Sequence, residues 1–394
     1  MTAARIVVYG GYGVFGRRVV EDLLTHTEAE ITIAGRHPRR VERGTGTERT
    51  RSESPFPRVT AVYSDLRDLE SVVRTIRGAK AVILAAGPFQ GLPLTVLEGA
   101  MKEGAPYLDL SDSREYVRRV YKCEYEIVRA GISAFTGLST LPGISSVLVE
   151  KMRVHFDTLQ AIRMFMSPGN RNPRGIATIQ SIMTYVGRPI SIVRNGNPEF
   201  VAGWSGAERV EFPAPVGERT TYFCDVPDYD LFPKFFGART VEFRAGLELP
   251  VLNRGLEWLG RIRPAAPFVG ERWFVRLMVL ASQMLAGFGT PHGGLLVTVE
   301  GTRAGKGDRP RQKSSGLEGS PLADSEPVPF SVSAAVITER DGPQVPAAPA
   351  GIVAARLLRG VVSPPGIVPV HRWIHPDEFL AELRSRGISV LPVQ

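Results

Sequence analysis

Cysteine is nearly missing from this sequence, with Cys123 and Cys224 the only two in 394 residues. Two thiols build neither a disulfide framework nor a cysteine-rich metal site, and their scarcity suits a reducing compartment. Long apolar runs are missing too. No window of about 18 residues, the least that reads as a membrane span, is apolar and free of charge. The first residues carry no basic-then-apolar leader, so secretion is not expected and a cytoplasmic location is. H-E-x-x-H, G-x-S-x-G and carboxylate–histidine clusters do not occur, which leaves metal hydrolysis and serine-triad chemistry without support; no metal site is expected. Basic residues are in excess, with a formal net charge of +8. The arginines are scattered rather than interleaved with aromatics, and part of the excess sits in residues 36–51 and 303–313. That distribution suits an anionic small molecule better than a nucleic-acid groove, so no nucleic-acid partner is expected.

What is present is an ordinary globular composition, 43% hydrophobic and 22% charged, in a chain long enough for two domains. The organising stretch comes first. Residues 5–9 are a β-branched run that reads as a short buried strand. Glycines at 10, 11, 13 and 16 crowd the turn that follows, and residues 17–24 place Val19, Val20, Leu23 and Leu24 at helical spacing. Gly11-x-Gly13-x-x-Gly16 fits the dinucleotide fingerprint. Its first glycine permits the tight turn, its second lets a diphosphate approach the backbone, and its third lets helix pack on strand. Tyr12, Val14 and Phe15 lie inside the same turn and are expected to touch the cofactor. A second strand, residues 30–34, ends at Ala34-Gly35-Arg36. An NAD site places a carboxylate there for the ribose 2′-hydroxyl; here a guanidinium stands ready for a 2′-phosphate, so the expected cofactor is NADP(H).

A third strand over residues 58–63 runs into Asp65, placed either to meet the adenine or to cap the next helix. A fourth, residues 79–85, is continuously apolar, as a central parallel strand should be. It leads to Ala86, Gly87, Pro88 and Phe89, a small-residue loop expected against the nicotinamide. Helix, strand, helix and strand follow over residues 94–104, 107–110, 113–130 and 132–135, the rhythm of a parallel α/β domain. After residue 141 the pattern changes to longer alternating strands, among them 159–166, 220–226, 240–249 and 295–301. These suit a second, mixed domain that covers the cofactor. Residues 273–288 form the most apolar stretch, too short to span a bilayer and expected to be a buried or interface helix. Residues 303–328 read as a mobile insert.

The sequence resembles the saccharopine dehydrogenase-like (saccharopine reductase-like) oxidoreductases. The resemblance rests on GGYGVFG (10–16), Ala34-Gly35-Arg36, AAGPFQG (85–91), YLDLSD (107–112), the 137–145 segment ending Leu-Pro-Gly-Ile-Ser, and SPGNRNPRG (167–175). It implies an α/β fold, a Rossmann-type doubly wound parallel sheet with an inserted mixed α/β substrate and dimerisation domain. On that basis residues 1–140, completed by 346–394, form the dinucleotide-binding domain, and residues 141–345 the inserted one. It also implies a pyridine-nucleotide oxidoreductase. The arginines and carboxylates with which the amino-acid enzymes of the family clamp amino-dicarboxylates find no match here.

Hydride transfer asks the protein chiefly for positioning, plus a proton for the product. Tyr107, Asp109 and Asp112 are candidates for the proton donor; Asp109 and Asp112 follow a parallel strand and point towards the crevice where ligands of such sheets lie, with Asp112 equally placed to cap a helix. His155, His292, His371 and His375 are weaker candidates. The sequence therefore predicts an NADP(H)-dependent reductase of a C=N, C=O or activated C=C bond in a small metabolite. A homodimer is expected, and membrane association is not. The rival is a non-catalytic NADPH-binding sensor or scaffold that docks a partner or membrane through the 273–288 helix.

Overall fold

The computed structural model describes residues 4–37, 57–173, 175–266, 268, 271–303 and 328–392. The chain opens with β1 (Arg5–Tyr9), α1 (Val14–His26), β2 (Glu30–Gly35), β3 (Val59–Tyr63), α2 (Leu69–Ile76), β4 (Ala81–Leu84), α3 (Thr95–Glu103) and β5 (Tyr107–Asp109). α4 (Arg114–Lys122), α5 (Glu124–Arg129) and β6 (Ser133–Phe135) continue the alternation. The middle of the chain holds α6 (Ser145–Arg153), β7 (Thr158–Ser167), α7 (Ile176–Tyr185), β8 (Pro189–Arg194), β9 (Asn197–Ala202), β10 (Glu208–Phe212) and β11 (Gly217–Phe223). It goes on through α8 (Asp228–Phe236), β12 (Thr240–Ala245), α9 (Pro250–Ile262), α10 (Arg272–Met284), β13 (Gly293–Arg303) and β14 (Val328–Thr338). The last stretch is α11 (Gln344–Leu358), β15 (Gly366–Ile367), α12 (Val370–Trp373), α13 (Pro376–Ser385) and β16 (Ser389–Leu391).

The first sheet has seven parallel strands in the order β15-β6-β5-β4-β1-β2-β3. Strand order reverses at β1 and β4, and the ends of these two strands open the crevice that binds ligands in doubly wound sheets. Both faces are covered, so Ile6, Val7, Val8 and Tyr9 are all fully buried, which is why the strand reads as an unbroken apolar run. The second sheet has nine strands and is mixed: β12 and β7 pair in parallel, and the other pairs are antiparallel. Its β8–β9 hairpin turns at Asn195 and Gly196, both at positive φ, the conformation a two-residue hairpin turn requires.

The C-terminal stretch contributes to both sheets. β15 adds the seventh strand, and Arg386 beyond α13 donates to Asp22 of α1 at 2.8 Å in a fully buried ion pair. The final strand β16 departs from the expected grouping and pairs with β14 of the second sheet. Two segments are shorter than their sequence patterns. The helix over 113–130 breaks at Cys123 into α4 and α5. The strand over 240–249 ends at Ala245, because the Asn253 side chain takes both the N–H and the C=O of Leu247 at 2.8 Å and removes that residue from the ladder. The predicted insert lies outside the described residues apart from its two ends, which belong to β13 and β14.

Candidate cofactor and substrate site

Glycine builds the turn after β1 by letting three pieces of backbone touch. Gly10 has φ +78°, and a Cβ on it would lie 2.7 Å from the backbone of Ala86. A Cβ on Gly16 would stand 2.2 Å from the Gly10 carbonyl oxygen, and one on Gly11 would be 3.0 Å from Ile33. Gly11 and Gly16 are therefore packing positions that set α1 onto the turn. Tyr12, Gly13, Val14 and Phe15 face a cavity of about 1300 Å³. Gly13 stands at the N-cap of α1 and supplies no side-chain cap. The first-turn amides and the positive end of the helix dipole are thus directed at whatever anion the cavity holds, and a diphosphate fits that donor set.

Arg36 follows β2 at the cavity rim, exposed and without an ion pair among the described residues. Asp65 also lines the cavity. It does not cap α2; that role falls to Asp68, which accepts from the N–H groups of Glu70 and Ser71 at 3.0 and 3.2 Å. Asp65 accepts from the Arg67 amide at 3.0 Å, and Arg67 is a second cation in the same wall. Ala86, Gly87, Pro88 and Phe89 line the cavity opposite the glycine turn. Phe89 is anchored edge-on against Tyr116, 5.2 Å between ring centroids.

The three proton-donor candidates separate cleanly. Tyr107 is fully buried with its hydroxyl 2.9 Å from that of Tyr116. Asp109 is fully buried and accepts from the Ser111 and Gly137 amides at 2.9 Å, tying the end of β5 to the segment after β6. Neither lines the cavity; Asp112 does. Its carboxylate is reached by solvent through the cavity, yet the surrounding protein removes enough water to push its pKa up, against a hydrogen bond from Ser181. Ser181 also accepts from Gln90 Nε2 at 2.9 Å, linking the 85–91 loop to α7. His155, His292, His371 and His375 do not line the cavity.

Several lining residues escaped the sequence patterns. Tyr185, at the end of α7, pairs with the Cys224 thiol, and burial raises its phenol well above the usual range, so it stays a neutral donor. Burial also pushes the Cys224 thiol up to about 12. Asp225 lines the cavity, its pKa raised by desolvation against the pull of Arg114, which donates to it at 3.2 Å. Arg114 also donates to the Ser191 carbonyl at 2.6 Å and to Asp230 at 2.5 Å, and so bolts α4 to the second domain. The signal for α7 was present in the sequence: Ile176, Ile179, Ile182 and Met183 stand at helical spacing. In the 167–175 motif the asparagines are braces. Asn170 donates to the carbonyls of Leu285 and Phe288 at 2.6 and 3.0 Å. Asn172 donates to Pro291 at 2.9 Å and accepts from the Gly342 amide at 3.1 Å.

No helix among the described residues is long and apolar enough to cross a membrane. α10 instead has two apolar sides: Phe274, Val275 and Val279 pack inward, while Trp273, Leu277, Leu280 and Met284 are exposed.

Comparison with known proteins bears on this arrangement. Residues 6–134 match the saccharopine dehydrogenase NADP binding domain. A lipid droplet localized protein of Caenorhabditis elegans is 25% identical over 123 residues, covering 30% of this chain and 29% of that curated relative's length. The whole fold is similar to apo saccharopine dehydrogenase (L-Glu forming) from Saccharomyces cerevisiae, with a TM-score of 0.66 at 14% identity over 100% of this chain and 99% of that one. It is similar also to homospermidine synthase from Legionella pneumophila in complex with NAD, with a TM-score of 0.59 at 10% identity over 100% and 91% of the two chains. Identities this low speak to fold alone, whereas the match over residues 6–134 is one of sequence. Residues 6–134 therefore resemble the saccharopine dehydrogenase NADP binding domain in sequence, and the whole chain shares the fold of saccharopine dehydrogenase.

Proposed function

We propose that the protein is an NADP(H)-dependent oxidoreductase that reduces a C=N, C=O or activated C=C bond of a small molecule, working as a cytoplasmic homodimer. One observation carries this reading. A single cavity collects the glycine turn, Arg36, the 85–89 loop and Asp112 from the first domain, and Ser181, Tyr185 and Asp225 from the second. The bound nicotinamide would supply the hydride. The protein's part is to bind and orient. The first-turn amides of α1 hold the diphosphate, Arg36 and Arg67 hold a 2′-phosphate, and Asp65 meets the adenosine end. The loop of Ala86, Gly87, Pro88 and Phe89 bears on the nicotinamide. Asp112, with its carboxyl raised towards the protonated form and a hydrogen bond from Ser181 to orient it, holds the proton that the reduced product takes up.

Absorbance of NADPH over a panel of imines, aldehydes, ketones and enones tests the activity. Asp112→Asn is expected to lower kcat by about a hundredfold to ten-thousandfold, the usual range for a general acid, and to leave NADPH affinity unchanged. An unaltered kcat in that variant would move the proton donor elsewhere. The exposed apolar side of α10 favours a second reading, a cofactor-binding scaffold docked on a partner or lipid surface. Tight NADPH binding with no turnover, together with vesicle flotation lost in Leu277→Glu, would support it.

A further inference from the structure

The cavity continues well past the residues that a dinucleotide and a reacting group need. Its volume is about 1300 Å³, and beyond Asp112 its wall is an arm between α7, α9 and α10. On α9 the lining positions Val251, Leu252, Gly255, Leu256, Trp258 and Leu259 recur every three to four residues, one broad face of the helix. On α10 they are Phe274, Met278, Ala281 and Ser282, again a single face. Gly255 leaves the arm wide, since a Cβ there would meet nothing within 4 Å. Charge is distributed just as unevenly. Among the described lining residues the basic ones are Arg36, His37 and Arg67, all at the adenosine end. The reacting end has Asp112 and Asp225 and no cation, and the arm has no charge at all.

We infer that the substrate is a long apolar molecule whose aliphatic chain lies in the arm between α7, α9 and α10, and whose reacting end carries no carboxylate. The inference rests on the oxidoreductase reading for the position of the reacting end. The chain site itself stands on the shape and chemistry of the arm. A carboxylate placed beside Asp112 and Asp225 would find no cation in the lining to pair with, because the nearby Arg114 is already held by Asp225, Asp230 and the Ser191 carbonyl, and an unpaired buried charge is costly. An alkyl chain in the arm exchanges water for Leu256, Leu259, Phe274 and Met278, a gain that grows with every methylene. The polar groups of α7 mark where the chain ends: Ser181 and Tyr185 stand beside Asp112, and the wall beyond them is aliphatic or aromatic apart from the hydroxyl residues Thr178 and Ser282.

Isothermal titration of the full chain with n-alkanols from butanol to tetradecanol, with and without NADPH, tests the chain site without requiring turnover. Affinity should rise about threefold to fourfold per added CH₂ until the arm is full, then level off. Gly255→Phe places a ring in the arm at a position with room for it and replaces a helix-interior glycine. It should move the plateau to a shorter alkanol while leaving the NADPH titration unchanged. Glutarate and 2-oxoglutarate should not compete. A flat chain-length series, a plateau that Gly255→Phe does not shift, or competition by 2-oxoglutarate would overturn the inference. Alkanol binding with the expected plateau but no NADPH binding would uphold the chain site and remove the oxidoreductase reading instead.

Discussion

The glycine turn and the 85–89 loop both line the cavity, and they meet where Gly10 packs against Ala86. That contact can be tested against a matched control. Gly10 and Gly91 have nearly the same backbone, φ +78° and +74°. An alanine at either position is held in the left-handed region at a cost of about 1–2 kcal/mol. At Gly91 nothing lies within 4 Å of the new methyl, so that cost is the whole effect. At Gly10 the methyl would lie 2.7 Å from both N and Cα of Ala86 and 2.9 Å from its Cβ. Separating the two strand ends to relieve such a clash adds about 1–3 kcal/mol, as overpacking of a tight interior does. Gly10→Ala is thus expected to destabilise by about 2–5 kcal/mol and Gly91→Ala by about 1–2, read from urea unfolding monitored by circular dichroism. The NADPH dissociation constant should rise about tenfold or more in Gly10→Ala, because the displaced loops are the ones that line the site, and stay nearly constant in Gly91→Ala. Adding Ala86→Gly should not rescue Gly10→Ala, since two of the three nearest atoms are main chain. Equal losses at the two glycines, or rescue by Ala86→Gly, would refute the idea that the two loops are set by backbone contact.

Two further outcomes follow from charge. Arg36→Ala should weaken NADPH by about tenfold while changing NADH little, the loss of one partly exposed charge-assisted hydrogen bond; equal weakening of both cofactors in a fluorescence titration would remove the 2′-phosphate role. Asp228 is fully buried, and desolvation raises its carboxyl to about 7 despite the Ser145 hydroxyl donating to it at 2.7 Å. The folded chain then keeps a proton that the unfolded chain releases, so this group costs stability progressively as pH rises from about 4 to 7 and no further above that. Asp228→Asn should raise the melting temperature more at pH 8 than at pH 4.5; an equal change at the two pH values would mean that the carboxyl does not titrate in that window.

The two ends of the cavity differ in how far they could be read from sequence, and the difference is one of distance along the chain. The cofactor end is local. A strand, three spaced glycines, a helix and Arg36 all fall within 36 residues, and each is fixed by what its neighbours in sequence permit. The parallel sheet was legible for the same reason, since strands buried on both faces are uninterrupted apolar runs. Tyr107 and Asp109 shared a strand end with Asp112, and period-two alternation could not say which of these side chains a crowded turn would bury. Asp109 is consumed by two backbone amides, a demand visible only once the segments ending at Ser111 and Gly137 are brought together.

The substrate end is assembled from α7, α9 and α10, which span more than a hundred residues. Its defining property is what stays off their inner faces. Arg254 and Glu257 are interleaved with Leu252, Gly255, Leu256 and Leu259, so α9 reads as an ordinary amphipathic helix, and Arg276 hides the inner face of α10 in the same way. Composition along α9 therefore reports a charged, unremarkable stretch, while none of these three charges lines the arm. A fold shared with chains whose sequences agree at only 14% and 10% of positions carries the architecture and not the chemistry of the site. On the inferred reading, what lies in the arm is decided by these three helix faces, which line it without a cation, and the glycine turn at the start of the chain carries no information about it.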